Sequence, residues 1–297
     1  MLLSLIKKIT ECQVVRDCEV DSLGLATSYS NNKKVLSFLA DKKFLDTVLE
    51  NNSITALICT EEIYNSMLIP AKYGLIIAID PKIAFYDIHN KLAKEDFYWK
   101  HFKNKISDTA RISDKAIIGE DSIQIGDNVL IEAGVVVHPG SIIGNNVIIR
   151  SGTQVGSSGF QFVNNGETVF PVKTAGRLII SDYVEVQHNC CIDRGIMGDT
   201  VLDKYVKLDN FVHIAHDNFI GRRTFITAGV KLAGRVVVGK DCWLGVNATV
   251  SNGISIGDNC RISLGSVVTK DVPSNSTVSG NFAISHERFI KFIKSIK

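Results

Sequence analysis

Residues 213–221 read HIAHDNFIG, which sets His213 and His216 three apart with Asp217 directly after the second. Imidazoles beside a carboxylate can carry protons near neutral pH. Gly234, in LAGR, stands 18 residues beyond His216. If the chain turns once every 18 residues, a base and a bare peptide amide lie one above the other. Acyl transfer uses that pair: the base takes a proton from an attacking amine or hydroxyl, and the N–H donates to the developing oxyanion, each contributing typically about 10²–10³-fold. Glycine leaves the approach of a thioester carbonyl open. His216 could equally be a satisfied surface imidazole, and His213 suits a corner or a subunit contact. Asp217 could orient an imidazole, although neighbours on a strand face opposite ways. His89, His101, His138 and His286 show no constellation.

The 18-residue turn rests on a repeat. From Leu202 an aliphatic residue recurs every six positions through Leu208, Ile214, Ile220, Ile226, Leu232, Val238, Leu244, Val250, Ile256, Ile262 and Val268. A mostly small residue follows four positions later, as at Val212, Thr224, Val230, Ala248 and Ser266. Period six is neither helical nor that of an ordinary strand. The same register runs through Ile125–Val155 and through Ile180–Ile192. Ile106, Ile112 and Ile118 share it, with a one-residue slip before Ile125. Such repeats bury their apolar sides only by stacking. The pattern resembles the hexapeptide family, which implies a left-handed parallel β-helix of triangular section. Three hexads to a coil make eight coils of the 24 hexads, about 38 Å tall at about 4.8 Å per strand. Its interior is too narrow for substrate, so chemistry happens outside. Cys190, Cys242 and Cys260 fall at the small interior position and read as core.

Residues 1–103 lack hexads, and their alternating pieces (FLDTVLENN, ALICTEEIY, GLIIAID, DIHNKLAKE) read as a small α/β domain, with LIIAI at 75–79 a buried strand. The β-helix domain is expected over 104–273 and a C-terminal segment over 274–297. Insertions 157–178 and 195–201 interrupt the repeat. Phe160 and Phe162 in the first either anchor it to the prism or line the acyl or sugar site. Asp193 and Arg194 suit a structural ion pair or turn, and the short insertion leaves the height of Asp199 on the prism open. ISHERFIKFIKSIK reads as a helix with Phe289, Phe292, Ile293 and Ile296 on one side. That face either caps the prism or packs on a neighbour, or its lysines receive an acidic acyl carrier protein.

Composition excludes several classes. Hydrophobic residues make up 45% and charged residues 22%, with a net charge of +2. No basic field suits nucleic acid, and no apolar run approaches the ~20 residues of a membrane span. The opening MLLSLIKKITEC lacks a signal-peptide n-region. Seven cysteines without a C-x-x-C pair read as reduced thiols in a cytoplasmic protein, with no metal site.

RSGTQVGSSGFQF, GRLIISDYVEVQHNCCIDRG, LDNFVHIAHDNFIG and AGVKLAG resemble, in order, signature stretches of the UDP-3-O-(3-hydroxyacyl)glucosamine N-acyltransferases of lipid A synthesis. The resemblance implies His216 as general base and the Gly234 N–H as oxyanion donor. It implies a homotrimer with sites in clefts between prisms, direct amine attack on an acyl thioester, and no tightly bound cofactor. LSFLADKKFLDTVL resembles the uridine-binding segment, so Phe38, Asp41 and Phe44 fall on its aromatic–Asn–aromatic pattern. Asp41 departs from the asparagine, SNGISIG lacks a family histidine, and the C-terminal extension is short. His188 and Asn189 in QHN add polar groups where the family carries a small residue first. With Phe160, Phe162, Asp193, Asp199 and Asn210 they are the candidate substrate-binding set. The departures point to acylation of a nucleotide-linked amino-deoxyhexose, of the dTDP-3-amino-3,6-dideoxyhexose type, from acyl-CoA for O-antigen or capsule. Lipid A acylation from acyl carrier protein is the alternative, and a non-catalytic binding β-helix is a third reading.

Overall fold

The computed structural model describes residues 1–6, 12–26, 34–280 and 283–295. Residues 105–278 wind as a left-handed parallel β-helix. Each coil lays one short strand on each of three walls. Wall one begins with Lys105–Ile106, wall two with Arg111–Ile112 and wall three with Ile117–Ile118; they hold eight, nine and eight strands. Where nothing is inserted, partners stand 18 residues apart, as His213 opposite Lys231 and Val201 opposite Phe219. The slip before Ile125 appears as Leu130 opposite Arg111.

From Ile125 onward the hexad aliphatics form one dry column, into which Cys190, Cys242 and Cys260 also pack, while Ile106 at the open end is exposed. Their neighbours at the edges turn through the left-handed region. Asn128, Asn146, Asp217, Asp241, Asn247 and Asn259 hold φ between +55° and +59°, a conformation that short polar side chains tolerate best. The walls continue past Pro273, where the hexad reading stops, to Thr277–Val278 paired with Arg261–Ile262.

Asn218 is the exception at the small interior position and is fully buried. Its amide donates to the carbonyls of Ala215 and Ala233, and its oxygen accepts from the Val236 N–H at 2.8 Å. It therefore ties two successive coils together at the edge between walls three and one. Asn218→Val would place an ordinary prism residue there but orphan those three backbone groups. At about 1–3 kcal/mol for an unsatisfied buried group, a loss of about 2–4 kcal/mol is expected, read as a lower midpoint in urea denaturation.

The first domain is a five-stranded sheet in the order Gln13–Arg16, Gly74–Ile77, Ile54–Cys59, Val35–Leu39, Ser22–Leu23, with only the first pair antiparallel. The strand foreseen at 75–79 ends at Ile77, and Ile79 is fully exposed on the bend that follows. Helix α1, Pro81–Leu92, starts at Asp80, whose carboxylate accepts from the Ile83 N–H, with proline at its first position. Phe85, Ile88, His89 and Leu92 make its buried stripe.

Both insertions leave the prism at the edge between walls three and one. The longer forms a hairpin, Phe162–Asn164 against Val169–Pro171. Val163 and Val172 from it, and Ile196 and Met197 from the shorter one, are buried in the core of the first domain. His89, assigned no partner from sequence, completes the junction. Its Nε2–H donates to the Lys173 carbonyl, so Nδ1 must accept from the Tyr98 hydroxyl. Burial holds this imidazole below its usual pKa range and hence neutral.

Helix α2, His286–Ser295, does not cap the prism within one protomer. Phe289 and Phe292 are 47% and 56% exposed. Ile296 lies outside the described residues.

Candidate active site

His216 and Gly234 lie on the edge between walls three and one, a full coil apart. Arg235 N–H donates to the His216 carbonyl across that step. The imidazole faces the glycine closely: a methyl on Gly234 would meet Cε1 at 2.6 Å and Nε2 at 2.8 Å. Gly159, in the long insertion, covers the other side, where a methyl would meet the histidine Cβ at 2.8 Å. The two glycines clamp the ring, leaving the residue 5% exposed.

Asp217 does orient this imidazole. Period-two logic put the two side chains on opposite faces, but Asp217 occupies the left-handed corner at φ +57°, where the chain turns and brings its carboxylate back. Nδ1–H of His216 donates to Asp217 Oδ2 at 2.7 Å, which leaves the Nε2 lone pair toward Gly234. Nε2 has no hydrogen-bond partner among the described residues and is not sealed from solvent. The Gly234 N–H likewise has no backbone acceptor among them. A lone-pair base and an unpaired donor thus lie on one edge, a coil apart.

The carboxylate itself is held by the short insertion, whose Ile196, Met197 and Gly198 N–H groups all donate to it. Burial acts to raise its pKa, but the hydrogen bond and charge of His216 with these amides outweigh it and hold it below its usual 3.8. A depressed folded pKa contributes stability above the unfolded value that disappears as pH falls through the folded one. Asp217→Asn is therefore expected to flatten the acid limb of the stability profile below about pH 4, measured by thermal melts across pH. The same variant loses the tautomer lock on His216.

Beside the dyad lies a cavity of about 20 Å³ lined by Leu25, Tyr86, Gln161, Ile196, Met197, Asp217 and Arg235. Tyr86, Gln161 and Arg235 escaped sequence reasoning. Gln161 sits between the two highlighted phenylalanines, and Arg235 looks like one more corner residue.

The remaining candidates distribute unevenly. Phe160 is 84% exposed and its ring lies 4.9 Å from that of half-exposed Phe162, tilted by 59°. The loop is anchored by Val163 and Val172 instead. Asp193 does not pair with Arg194: it is buried and accepts from Ser157 Oγ at 2.6 Å, while Arg194 donates to the carbonyls of Pro139 and Thr174. Asp193 is thus satisfied internally rather than presented to substrate. The Val201–Phe219 register puts Asp199 one coil beneath Asp217, where the Arg177 guanidinium clamps it through Nε and Nη2. His188, Asn189 and Asn210 sit on the edge between walls two and three, away from His216. There His188 Nδ1–H donates to Asn210 Oδ1 at 3.1 Å.

In the first domain Phe38 packs on Phe85, with ring centroids 5.1 Å apart, while Phe44 is exposed beneath the Lys43 ammonium. Asp41 caps a short helical turn by accepting from the Lys43 N–H and pairs with Lys43 Nζ at 3.0 Å. The pair is largely open to solvent.

Residues 122–157 match the bacterial transferase hexapeptide (six repeats), and residues 235–270 match the hexapeptide repeat of succinyl-transferase. Over 146 residues, 49% of the chain, it is 37% identical to the UDP-3-O-acylglucosamine N-acyltransferase of Janthinobacterium sp. (strain Marseille), covering 42% of that protein. Over 157 residues, 52% of the chain, it is 32% identical to the enzyme of the same name from Wolinella succinogenes, covering 49% of it. The match thus spans less than half the length of these relatives. Among solved structures, the UDP-N-acetylglucosamine acyltransferase of Francisella novicida aligns with a TM-score of 0.49 at 23% identity, covering 64% of this chain and 71% of that one.

Proposed function

We propose that this chain is an N-acyltransferase, moving an acyl group from a thioester to the amino group of a nucleotide-linked sugar. The observation that carries the reading is the orphaned pair at one edge: His216 Nε2, locked as acceptor by Asp217, against the unpaired Gly234 N–H. Nε2 takes the proton of the attacking amine as the N–C bond forms, and the Gly234 amide donates to the oxyanion on the former carbonyl. Collapse breaks the C–S bond, and the imidazolium returns the proton to the departing thiolate. Asp217 stabilises the cation between these two events.

The names of the relatives favour UDP-3-O-acylglucosamine as acceptor over the dTDP-linked amino-deoxyhexose suggested by the sequence departures, and leave acyl carrier protein and acyl-CoA as alternative donors. The first domain, through Phe44 and the edge of Phe38, is the proposed nucleotide holder. His188, Asn189 and Asn210 lie on a different edge from His216, so any role for them at its site would come from another copy, as in the homotrimer with sites between prisms that the resemblance implies. Among the described residues no helix is long and apolar enough to cross a membrane. The experiment is thiol release from 3-hydroxyacyl carrier protein and from 3-hydroxyacyl-CoA, with UDP-3-O-acylglucosamine and a dTDP-amino-deoxyhexose as paired acceptors. Release above the acceptor-free rate with either sugar supports the reading; background rates with all four combinations contradict it.

A further inference from the structure

The three N–H groups that hold the Asp217 carboxylate belong to consecutive residues, Ile196, Met197 and Gly198. A row of successive amides is suited to an anion. Two of those residues also reach the other way. The side chains of Ile196 and Met197 are buried in the core of the first domain, in the cluster that holds Leu36, Phe85 and Ile88. One short step of chain therefore has its backbone on the dyad and its side chains in another domain. Leu25 and Tyr86 of that domain line the same small cavity as Asp217, Ile196 and Met197.

The loop has little freedom to shift between these two attachments. Its two ends are pinned to one oxygen: the Gly195 and Thr200 N–H groups both donate to the Arg177 carbonyl, at 3.1 and 2.9 Å. From the longer insertion, the Ala175 and Gly176 N–H groups donate to the carbonyls of Ile196 and Gly195. A methyl on Gly176 would strike the Gly198 carbonyl oxygen. One on Gly195 would strike the same oxygen and come within 2.9 Å of Asp217 Oδ1. Where the loop sits thus fixes where Asp217 points, and Asp217 Oδ2 receives the Nδ1–H of His216.

We infer that Ile196 and Met197 are positioning residues for His216. Seated in the first domain, they hold the amides that aim Asp217, so proton transfer depends on the packing of a domain that carries neither member of the dyad. The inference rests on the N-acyl transfer reading and goes beyond it to what keeps the base aligned.

The test compares two cavities in one core. Met197→Ala withdraws the anchor of the loop, whereas Ile88→Ala empties a position on helix α1 that has no part in the loop. Both are expected to lower the melting temperature. Only Met197→Ala is expected to lower kcat for N-acyl transfer, by about 10-fold, as for residues joined through one hydrogen-bond network. Met197→Leu, close in volume, is expected to keep parental kcat. In an Asp217→Asn background Met197→Ala is expected to cost nothing further, because its effect passes through that carboxylate. A second readout needs no substrate: the His216 Nδ1–H, followed by NMR in protein labelled with ¹⁵N at histidine, exchanges slowly in the parent and in Ile88→Ala and rapidly in Met197→Ala. Should Met197→Ala not fold, Ile196→Val, which removes one methyl, is read in the same two ways. Equal loss of kcat in Met197→Ala and Ile88→Ala would overturn the inference, as would a loss that adds in full to that of Asp217→Asn, or an Nδ1–H signal that Met197→Ala leaves unchanged. Absence of acyl transfer in the parent would sink the transferase reading alone, since the NMR signal still decides whether the loop positions His216.

Discussion

Replacement of His216 by alanine is expected to lower kcat/KM for N-acyl transfer by about 10²–10⁴-fold, the usual range for a positioned general base. The fold should tolerate the change. Asp217 would keep the three N–H groups of Ile196, Met197 and Gly198, so the carboxylate is not stranded when its imidazole is removed. The variant should therefore melt close to the parent and retain the affinity of its nucleotide sugar, with the loss concentrated in kcat. A variant with more than about a tenth of parental kcat would show that the proton leaves by another route.

Gly234→Ala tests the opposite partner, and the structure gives its effect a geometric cause. The added methyl would sit 2.6 Å from Cε1 and 2.8 Å from Nε2 of His216. The ring cannot step back, because Gly159 lies against its other side and Asp217 holds Nδ1 at 2.7 Å. Either the imidazole rotates and breaks that bond, or the methyl fills the space where the acyl oxygen must approach the amide. Loss of oxyanion stabilisation alone costs about 10²–10³-fold in kcat, and displacement of the base adds to it. Gly280→Ala is the matched control, since a methyl there meets nothing within 4 Å. Activity at parental level in Gly234→Ala would mean that the amide does not face the reacting carbonyl.

Much of this arrangement can be read from sequence for one reason: the repeat converts sequence distance into height. Twelve unbroken hexads from Leu202 put His216 and Gly234 on one edge before any coordinate is known. What cannot be read that way is set by residues that leave the period. Asp217 reaches His216 because its corner is left-handed, a detail that alternation along a strand does not carry. Asn218 breaks the run of small interior residues, a visible signal whose meaning emerges only with its three bonds to two coils. The insertions hide the most. His89 meets Lys173 across 84 residues, and Gly159 meets His216 through loop packing that no periodicity encodes. The Asp193–Arg194 pairing fails for a related reason: sequence neighbours at this edge diverge, one inward to Ser157 and one along the edge to Pro139 and Thr174.

Occupancy of this edge by both substrates is what the account most needs. The direct measurement is a crystal structure of the protein with a UDP-linked amino sugar and a non-transferable acyl-thioether analogue of the donor. The account predicts the sugar amine within about 2.6–3.2 Å of His216 Nε2 and the acyl oxygen accepting from the Gly234 N–H. An amine seated elsewhere, such as beside His188 and Asn210 with His216 still closed beneath Gly159, would contradict it.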